Sequence, residues 1–393
     1  MKKWLKEKLI CPECLAEDIP LNLEIKAEEN DDVVEGELVC ASCKRTYPIR
    51  KGVAVVLPET SQSVLSETSG YNSKNMLSSY LWSHFCDFLN DPESTDAYRT
   101  WSSFFKKADG AALDIGCAVG RLSFELSKTH TQVIGIDTSI SFVKKARELL
   151  SKKRLDFDLI IEGFITEKRS CEFDAAYNYD HVDFIVADAL ALPFPNRLFS
   201  TVTSINILEK VSSPIGHLKD INRVLKEKNS MFVFSDPFSW DESVSDPDYW
   251  LSGGTNGNGN RRGIDSLSQY FSGKDDIFDP CLEILAKGNV SWKIRKTENL
   301  WEHINSQFIA FQNLPIKFNG DIYLRLNLKS FSPEIINHAF FIHRLQQSRP
   351  QLSMNPISGI NDLFPDPLQF FRYRFMIHFS NTRFAQDTKT TKL

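Results

Sequence analysis

The 393-residue chain has no run of about 18 apolar residues, so no membrane-spanning helix is expected. Residues Met1 to Ile10 are rich in lysine and have no long apolar stretch ahead of Cys11, so the start does not read as a secretory signal. Basic charge is also missing. The 46 Lys and Arg are outnumbered by 51 Asp and Glu, for a net charge of −5, which argues against a dedicated nucleic-acid binder. The deficit is uneven, because residues 313–393 carry ten Lys/Arg against five Asp/Glu and the first 312 residues are therefore the acidic part. No internal repeat is visible. Eight cysteines without an export signal read as cytoplasmic thiols or metal ligands rather than as a disulfide framework.

The chain divides into four stretches. Residues 1–58 hold two C-x-x-C pairs and short strand-like runs at Leu38–Val39 and Val53–Leu57. Residues 59–75 are rich in Ser, Thr, Asn and Gln and read as a linker. From 76 to 312, strand-like runs (Ala111–Ile115, Val133–Asp137, Val182–Ala187, Thr201–Ile205, Met231–Ser235) alternate with helical ones (Arg121–Lys128, Ser141–Lys152, Ile215–Leu225). That alternation predicts βαβ units, hence an α/β, doubly wound, mostly parallel sheet. The stretch 253–263 is low in complexity and reads as a loop. Residues 313–393 contain ten Phe and only two Gly, without a clean period, and their role is unassigned.

Cys11-Pro-Glu-Cys14 and Cys40-Ala-Ser-Cys43 offer four thiolates from two tight turns. Four sulfur donors suit tetrahedral Zn²⁺ and leave no open position, so the expected metal is structural. A segment of this size has little core of its own, and a metal staple makes up for it. The surrounding run, Glu35 to Pro58, closely resembles the small zinc-ribbon family whose best-known member activates tRNA, ribosomal RNA and release-factor methyltransferases. In that family the ribbon accompanies a methyltransferase. The resemblance, over residues 5–58, implies that such a domain follows. The run Val53–Leu57 is more hydrophobic than a domain of that size needs for itself, so the ribbon is expected to dock on the methyltransferase domain in cis.

Ala112-Leu-Asp114-Ile-Gly116-Cys-Ala-Val-Gly120-Arg121 lies between a strand and a helix, where glycines let backbone approach a ligand. The next strand ends in Asp137, at the spacing from which a carboxylate binds a ribose diol. Asp114 precedes the loop, where a carboxylate suits an ammonium group and would repel a pyrophosphate. A third carboxylate, Asp188, follows Phe184-Ile-Val-Ala, and Ser204-Ile-Asn206-Ile-Leu-Glu209 ends a further strand. Together these resemble the class I S-adenosylmethionine-dependent methyltransferases, with a Rossmann-like sheet. The resemblance implies that Asp114, Gly116 and Gly120 cradle the methionine part, Asp137 the ribose and Asp188 the adenine amino group. Where that family has a Pro-Gly-Gly turn, this chain has Lys226-Glu-Lys-Asn-Ser230, with Asn229 able to supply a left-handed residue.

On the substrate side, Ser235-Asp236-Pro-Phe-Ser-Trp240 ends a strand, and Ser79-Tyr80-Leu-Trp-Ser-His84-Phe85 reads as a helix entering the domain. Tyr80, His84, Asn206, Asp236 and Trp240 are the candidates for lining the acceptor cavity. Gly288–Thr297 reads as a late strand pair, and an insert lies around Ile165–Lys168. This assembly is similar to the C-terminal methyltransferase domain of ovothiol-biosynthesis enzymes, which implies methylation of a small molecule on nitrogen. No Asn-Pro-Pro-Tyr or Asp-Pro-Pro-Tyr run is present, which argues against the planar-nitrogen methyltransferases that use it. The expected function is methyl transfer from S-adenosylmethionine to a heteroatom of a small molecule. A tRNA or protein acceptor, and a non-catalytic scaffold with a vestigial loop, are the alternatives.

Overall fold

The computed structural model describes residues 1–61, 70–253, 261–273 and 278–313, and the backbone of 317–318 and 321–322. The expected loop at 253–263, the linker at 59–75 and the aromatic tail therefore fall wholly or partly outside the described residues. Residues 1–313 form one compact unit and 314–393 a second. In the second, Lys317–Phe318 pairs with Asp321–Ile322 in an antiparallel bridge. Among the described residues no helix is long and apolar enough to cross a membrane.

The first unit opens with a meander of β1 (Leu21–Glu29), β2 (Asp32–Cys40), β3 (Thr46–Arg50) and β4 (Val53–Val56). Two-residue turns set its register. Asn30-Asp31 (φ 47° and 69°) joins Glu29 to Asp32, and Lys51-Gly52 (φ 50° and 77°) joins Arg50 to Val53. Positive φ at both turn residues matches the twist of the flanking strands. Strand β1 was not foreseen because it is an exposed, acidic edge, and β3 because Pro48 sits inside it.

The larger part contains β5 (Ala108–Ile115), β6 (His130–Asp137), β9 (Val182–Ala187), β10 (Phe199–Ile205) and β11 (Ser230–Asp236), all parallel to one another. Strands β9 and β11 are buried at every position, as strands covered on both faces must be. The late pair is longer than expected: β12 (Glu283–Arg295) and β13 (Trp301–Asn313) add antiparallel to β11. The insert is a separate hairpin of β7 (Arg154–Glu162) and β8 (Ile165–Glu172), with Phe164 fully exposed at its tip. Helices α1 (Lys74–Phe85), α4 (Ile140–Lys152) and α5 (Pro214–Val224) begin at Ser73, Ser139 and Ser213, whose hydroxyls accept the backbone N–H three residues on. The other helices are α2 (Ala97–Ser102), α3 (Arg121–Leu126) and α6 (Gly263–Phe271).

The two parts share one eleven-stranded sheet in the order β1-β2-β3-β4-β9-β6-β5-β10-β11-β13-β12. Strand β4 lies parallel to β9, with Val55 opposite Val186 and Val56 opposite Ala187. The apolar run Val53–Leu57 is thus consumed by docking. Ile10, next to the first cysteine, donates its N–H to the Pro193 carbonyl at 3.0 Å. Behind the junction, Arg147 of α4 pairs with Asp32 of β2 at 2.8 Å and with the fully buried Asp183 of β9. The Lys2 N–H reaches the other Asp183 oxygen at 2.6 Å. One hydrophobic core runs through both parts, from Leu5, Leu38 and Val56 to Ile136, Leu192 and Phe232.

Candidate functional site

The ribbon brings Cys11, Cys14, Cys40 and Cys43 together, with all four sulfurs within 4.8 Å of one another. A tetrahedron with metal–sulfur arms of about 2.3 Å has edges of about 3.8 Å. The Cys11 and Cys43 sulfurs are 3.7 Å apart, so the donor set fits the ion. Tyr47 of β3, unnoticed in the sequence, sits 3.1 Å from the Cys11 sulfur through its hydroxyl. Two of the thiols are shifted in opposite directions. Burial, with Cys43 and Cys11 nearby, pushes Cys14 up to about 12. At Cys40 burial is outweighed by the backbone N–H groups of Cys43 and Ser42, and its value falls to about 7.

The second site lies where β5, β6 and β9 end side by side. Each strand finishes at a carboxylate: Asp114 on β5, Asp137 on β6, Asp188 just past β9. Asp114 is 2% exposed and accepts the hydroxyls of Ser123 (2.6 Å) and Thr203 (2.7 Å). Asp137 accepts the N–H of Ala118 (2.9 Å) and of Ser139 (2.8 Å), and so ties the glycine loop to the start of α4. Burial raises both carboxyls to about 6, only partly offset by these donors. Asp188 accepts the Leu190 N–H at 2.8 Å and the hydroxyl of Ser61.

Gly116 and Gly120 take left-handed φ of 71° and 87°. A Cβ on Gly116 would lie 2.5 Å from Ile207, and one on Gly120 2.6 Å from Phe184. Both glycines are thus required by the turn and by close packing of the fold itself. Asn72 was not foreseen. Its side-chain carbonyl accepts from the Ser139 hydroxyl (2.8 Å) and the Ser141 N–H (3.2 Å), holding the segment before α1 against the residues after Asp137. Asn229 adopts the left-handed φ of 53° that its place in the turn requires.

Of the five substrate-side candidates, Asn206 follows β10, Asp236 ends β11, Tyr80 and His84 lie on α1, and Trp240 lies on the loop after β11. Tyr80 packs on Phe142 (4.8 Å between ring centres), His84 (5.6 Å) and Trp292 (6.0 Å). His84 is buried, and burial, with Arg121 adding to it, lowers its imidazole to about 3, so the ring is neutral. Asn206 has φ 56° and accepts the Ser306 hydroxyl at 2.7 Å, while its amide nitrogen is buried without a partner. Asp236 is fully buried and accepts the N–H groups of Phe238 (2.7 Å) and Glu209 (3.4 Å). Burial, with the Glu209 carboxyl close by, raises Asp236 to about 8, so it holds a proton at neutral pH. Trp240 donates to the Ser252 hydroxyl (3.0 Å) and stacks on Trp250 at 5.9 Å, set apart on the loop after β11. Two surface clefts lie off this edge, about 520 Å³ beside Arg197 and Arg223 and about 490 Å³ beside Asp87 and Arg121. The three arginines are committed to carbonyls and carboxylates of the fold.

Comparison with known proteins finds a match for each part. Residues 113–233 match the methyltransferase domain family and residues 5–52 the Trm112p-like protein family. Among curated relatives, the sterol 24-C-methyltransferase of Pneumocystis carinii is 26% identical over 165 residues, 40% of this chain and 38% of that one. The ubiquinone/menaquinone biosynthesis C-methyltransferase UbiE of Pectobacterium atrosepticum is 28% identical over 161 residues, 38% of this chain and 55% of that one. The matches thus span about half or less of those relatives. Among solved structures, a SAM-dependent methyltransferase of Methanosarcina mazei overlays with a TM-score of 0.34 at 18% identity, covering 54% of this chain and 95% of that one. A complex containing the Haloferax volcanii Trm112 methyltransferase activator gives 0.36 at 13% identity, covering 61% and 96%. The chain thus matches a methyltransferase domain over residues 113–233, in the parallel sheet, and a Trm112p-like protein over residues 5–52, in the ribbon.

Proposed function

We propose that this chain transfers the methyl group of S-adenosylmethionine to a nitrogen or another heteroatom of a small molecule, with a zinc-holding ribbon fused in cis. The observation that carries this reading is the row of Asp114, Asp137 and Asp188 at three adjacent strand ends. Three carboxylates answer the three hydrogen-donating parts of that cofactor: an ammonium, a ribose diol and an adenine amine. Bound there, it supplies an electrophilic sulfonium methyl for in-line attack. Asp137 would accept the ribose hydroxyls while its bonds to Ala118 and Ser139 keep loop and helix in place. Asp114 would face the ammonium, Asp188 the adenine amine, and Gly116 and Gly120 would shape the loop around the methionine part. On the acceptor side, Tyr80, Asn206 and the neutral His84 would orient the nucleophile and exclude water, which supplies much of the rate in such a transfer. Cys11, Cys14, Cys40 and Cys43 would hold the zinc, which steadies the ribbon and takes no part in transfer.

The Trm112p-like match favours a second reading, a tRNA or protein acceptor, against which the acidity of residues 1–312 weighs. Ovothiol-type N-methylation stays one form of the first reading. The test is calorimetric titration with S-adenosylmethionine, then transfer of labelled methyl to small-molecule, tRNA and protein fractions. Micromolar binding with label in the small-molecule fraction is expected. Label confined to tRNA or protein would replace the first reading by the second, and absence of cofactor binding would leave only a scaffold.

A further inference from the structure

Ten side-chain nitrogen or oxygen atoms in the described residues are buried without a partner, and four of them belong to one region: His84 Nδ1, Trp101 Nε1, Trp292 Nε1 and Asn206 Nδ2. Buried polar atoms are normally paired, so a local concentration of unpaired ones needs a cause. The region is continuous. Tyr98, Trp101, Trp292 and Phe308 share one apolar cluster, against which Tyr80 and Ile205 pack, and Tyr80 also packs on the cluster holding Cys117, Ala118 and Phe142. It therefore adjoins both the glycine loop and the end of β10. His84 and Trp292 are each 5% exposed, with rings 6.3 Å apart and steeply inclined. Asn206 is turned by Ser306, which occupies its carbonyl oxygen and leaves the amide nitrogen unanswered.

The chemistry of these atoms is one-sided. Indole Nε1–H and amide N–H only donate, and a neutral imidazole nitrogen adapts by tautomer. A ligand answering them must bring acceptors. The surrounding charge limits the choice further. Burial, with the Asp114 carboxyl near Tyr98 and the Asp137 carboxyl near Tyr80, disfavours a second anion. The nearby cation, Arg121, is spent on Asp87, Glu125 and the His84 carbonyl. The aromatic side chains of Tyr80 and Trp292 suit a flat partner.

We propose that the methyl acceptor is an uncharged planar ring bearing at least two hydrogen-bond-accepting atoms, lodged against Tyr80 and held by Trp292, Asn206 and His84. This rests on the methyltransferase reading of the same strand edge. It makes Trp292 a binding residue and gives His84 and Asn206 a specific task.

The test uses the full chain saturated with S-adenosylhomocysteine, with Trp292→Phe and Asn206→Ala as variants and three probes followed by ligand-observed NMR. The probes are quinolin-4-one (planar, uncharged, carbonyl), trimethylphenylammonium (planar cation) and cyclohexanone (carbonyl, not planar). Quinolin-4-one is expected to bind best to the native chain and about tenfold more weakly to each variant, as loss of one hydrogen bond in a buried site implies. Cofactor-product affinity is expected to stay within twofold in both variants, which separates a lost contact from a lost fold. Equal quinolin-4-one binding in all three proteins, no binding to any of them, or preference for either other probe would overturn the proposal. Failure of S-adenosylhomocysteine itself to bind would instead sink the methyltransferase reading.

Discussion

Arg147→Met tests whether the ribbon is part of the larger domain's fold or an appendage. The Arg147 side chain is 11% exposed and joins Asp32 of the ribbon to Asp183, which is 0% exposed, in the parallel sheet. Removing one partner of a buried ion pair costs about 3–5 kcal/mol, because the other charge stays buried. Asp183 would keep two donors, the N–H groups of Lys2 (2.6 Å) and Phe184 (2.8 Å), which places the expected cost near the lower end, about 3 kcal/mol. At about 2 °C per kcal/mol for a unit of this size, the melting temperature should fall by about 6 °C. Differential scanning calorimetry would read this as one transition moving as a whole. Adding Asp183→Asn to the Arg147→Met background removes the stranded charge and should recover part of the loss. A shift below about 1 °C, or a new early transition belonging to the ribbon alone, would refute the view that this contact locks both parts into one cooperative unit.

Further outcomes follow from the sites. Protein prepared without chelator should hold one zinc per chain by elemental analysis; Cys40→Ser should lose it and melt earlier, and metal-free protein with native stability would contradict a structural role. Asp137→Ala should weaken S-adenosylmethionine binding by about 2–4 kcal/mol in calorimetry, and unchanged affinity would overturn the ribose assignment. The change should also loosen the loop, because Asp137 holds Ala118 and Ser139. Cofactor binding should be flat above pH 7 and weaken as pH falls through about 6, where the raised Asp114 and Asp137 carboxyls take up protons and lose their charge. A profile flat down to pH 5 would count against both contacts. Asp32 behaves oppositely: Arg147 and the Met1 amino group outweigh burial and hold its carboxyl below the ordinary value of 3.8. Its contribution to stability is therefore fully present above about pH 4 and lost as pH falls through the lowered value, so native and Asp32→Asn proteins should converge in thermal melts at acid pH.

Much of this was legible in residue patterns. Buried parallel strands such as Val182–Ala187 betray themselves as unbroken apolar runs. The cysteine quartet could be read because metal geometry demands a spacing that few other functions share. What stayed hidden depends on tertiary partners. Strand β1 is one-sided and charged, so its pattern resembles solvated coil until β2 pairs with it. Ser123 and Thr203 gain importance only when the sheet brings their hydroxyls to Asp114, and Asn72 only when it reaches Ser139 from 67 residues away. Trp292 lies far from every motif, and its unanswered nitrogen emerges only from packing.

The pairing of β4 with β9 has a consequence for biosynthesis. Val55 and Val186 lie about 130 residues apart, and a ribosome adding about 5–20 residues each second needs roughly 7 to 26 seconds to span that gap. During that interval the ribbon can gather its cysteines around a metal and fold locally, yet the outer edge of β4 has nothing to pair with. Val53, Ala54 and Val56, all buried in the finished protein, then form an open apolar strand edge, the kind of surface that recruits other chains. Nascent chains stalled before Ala187 should therefore be the aggregation-prone species, and residues 1–58 made alone should be less soluble than the whole chain.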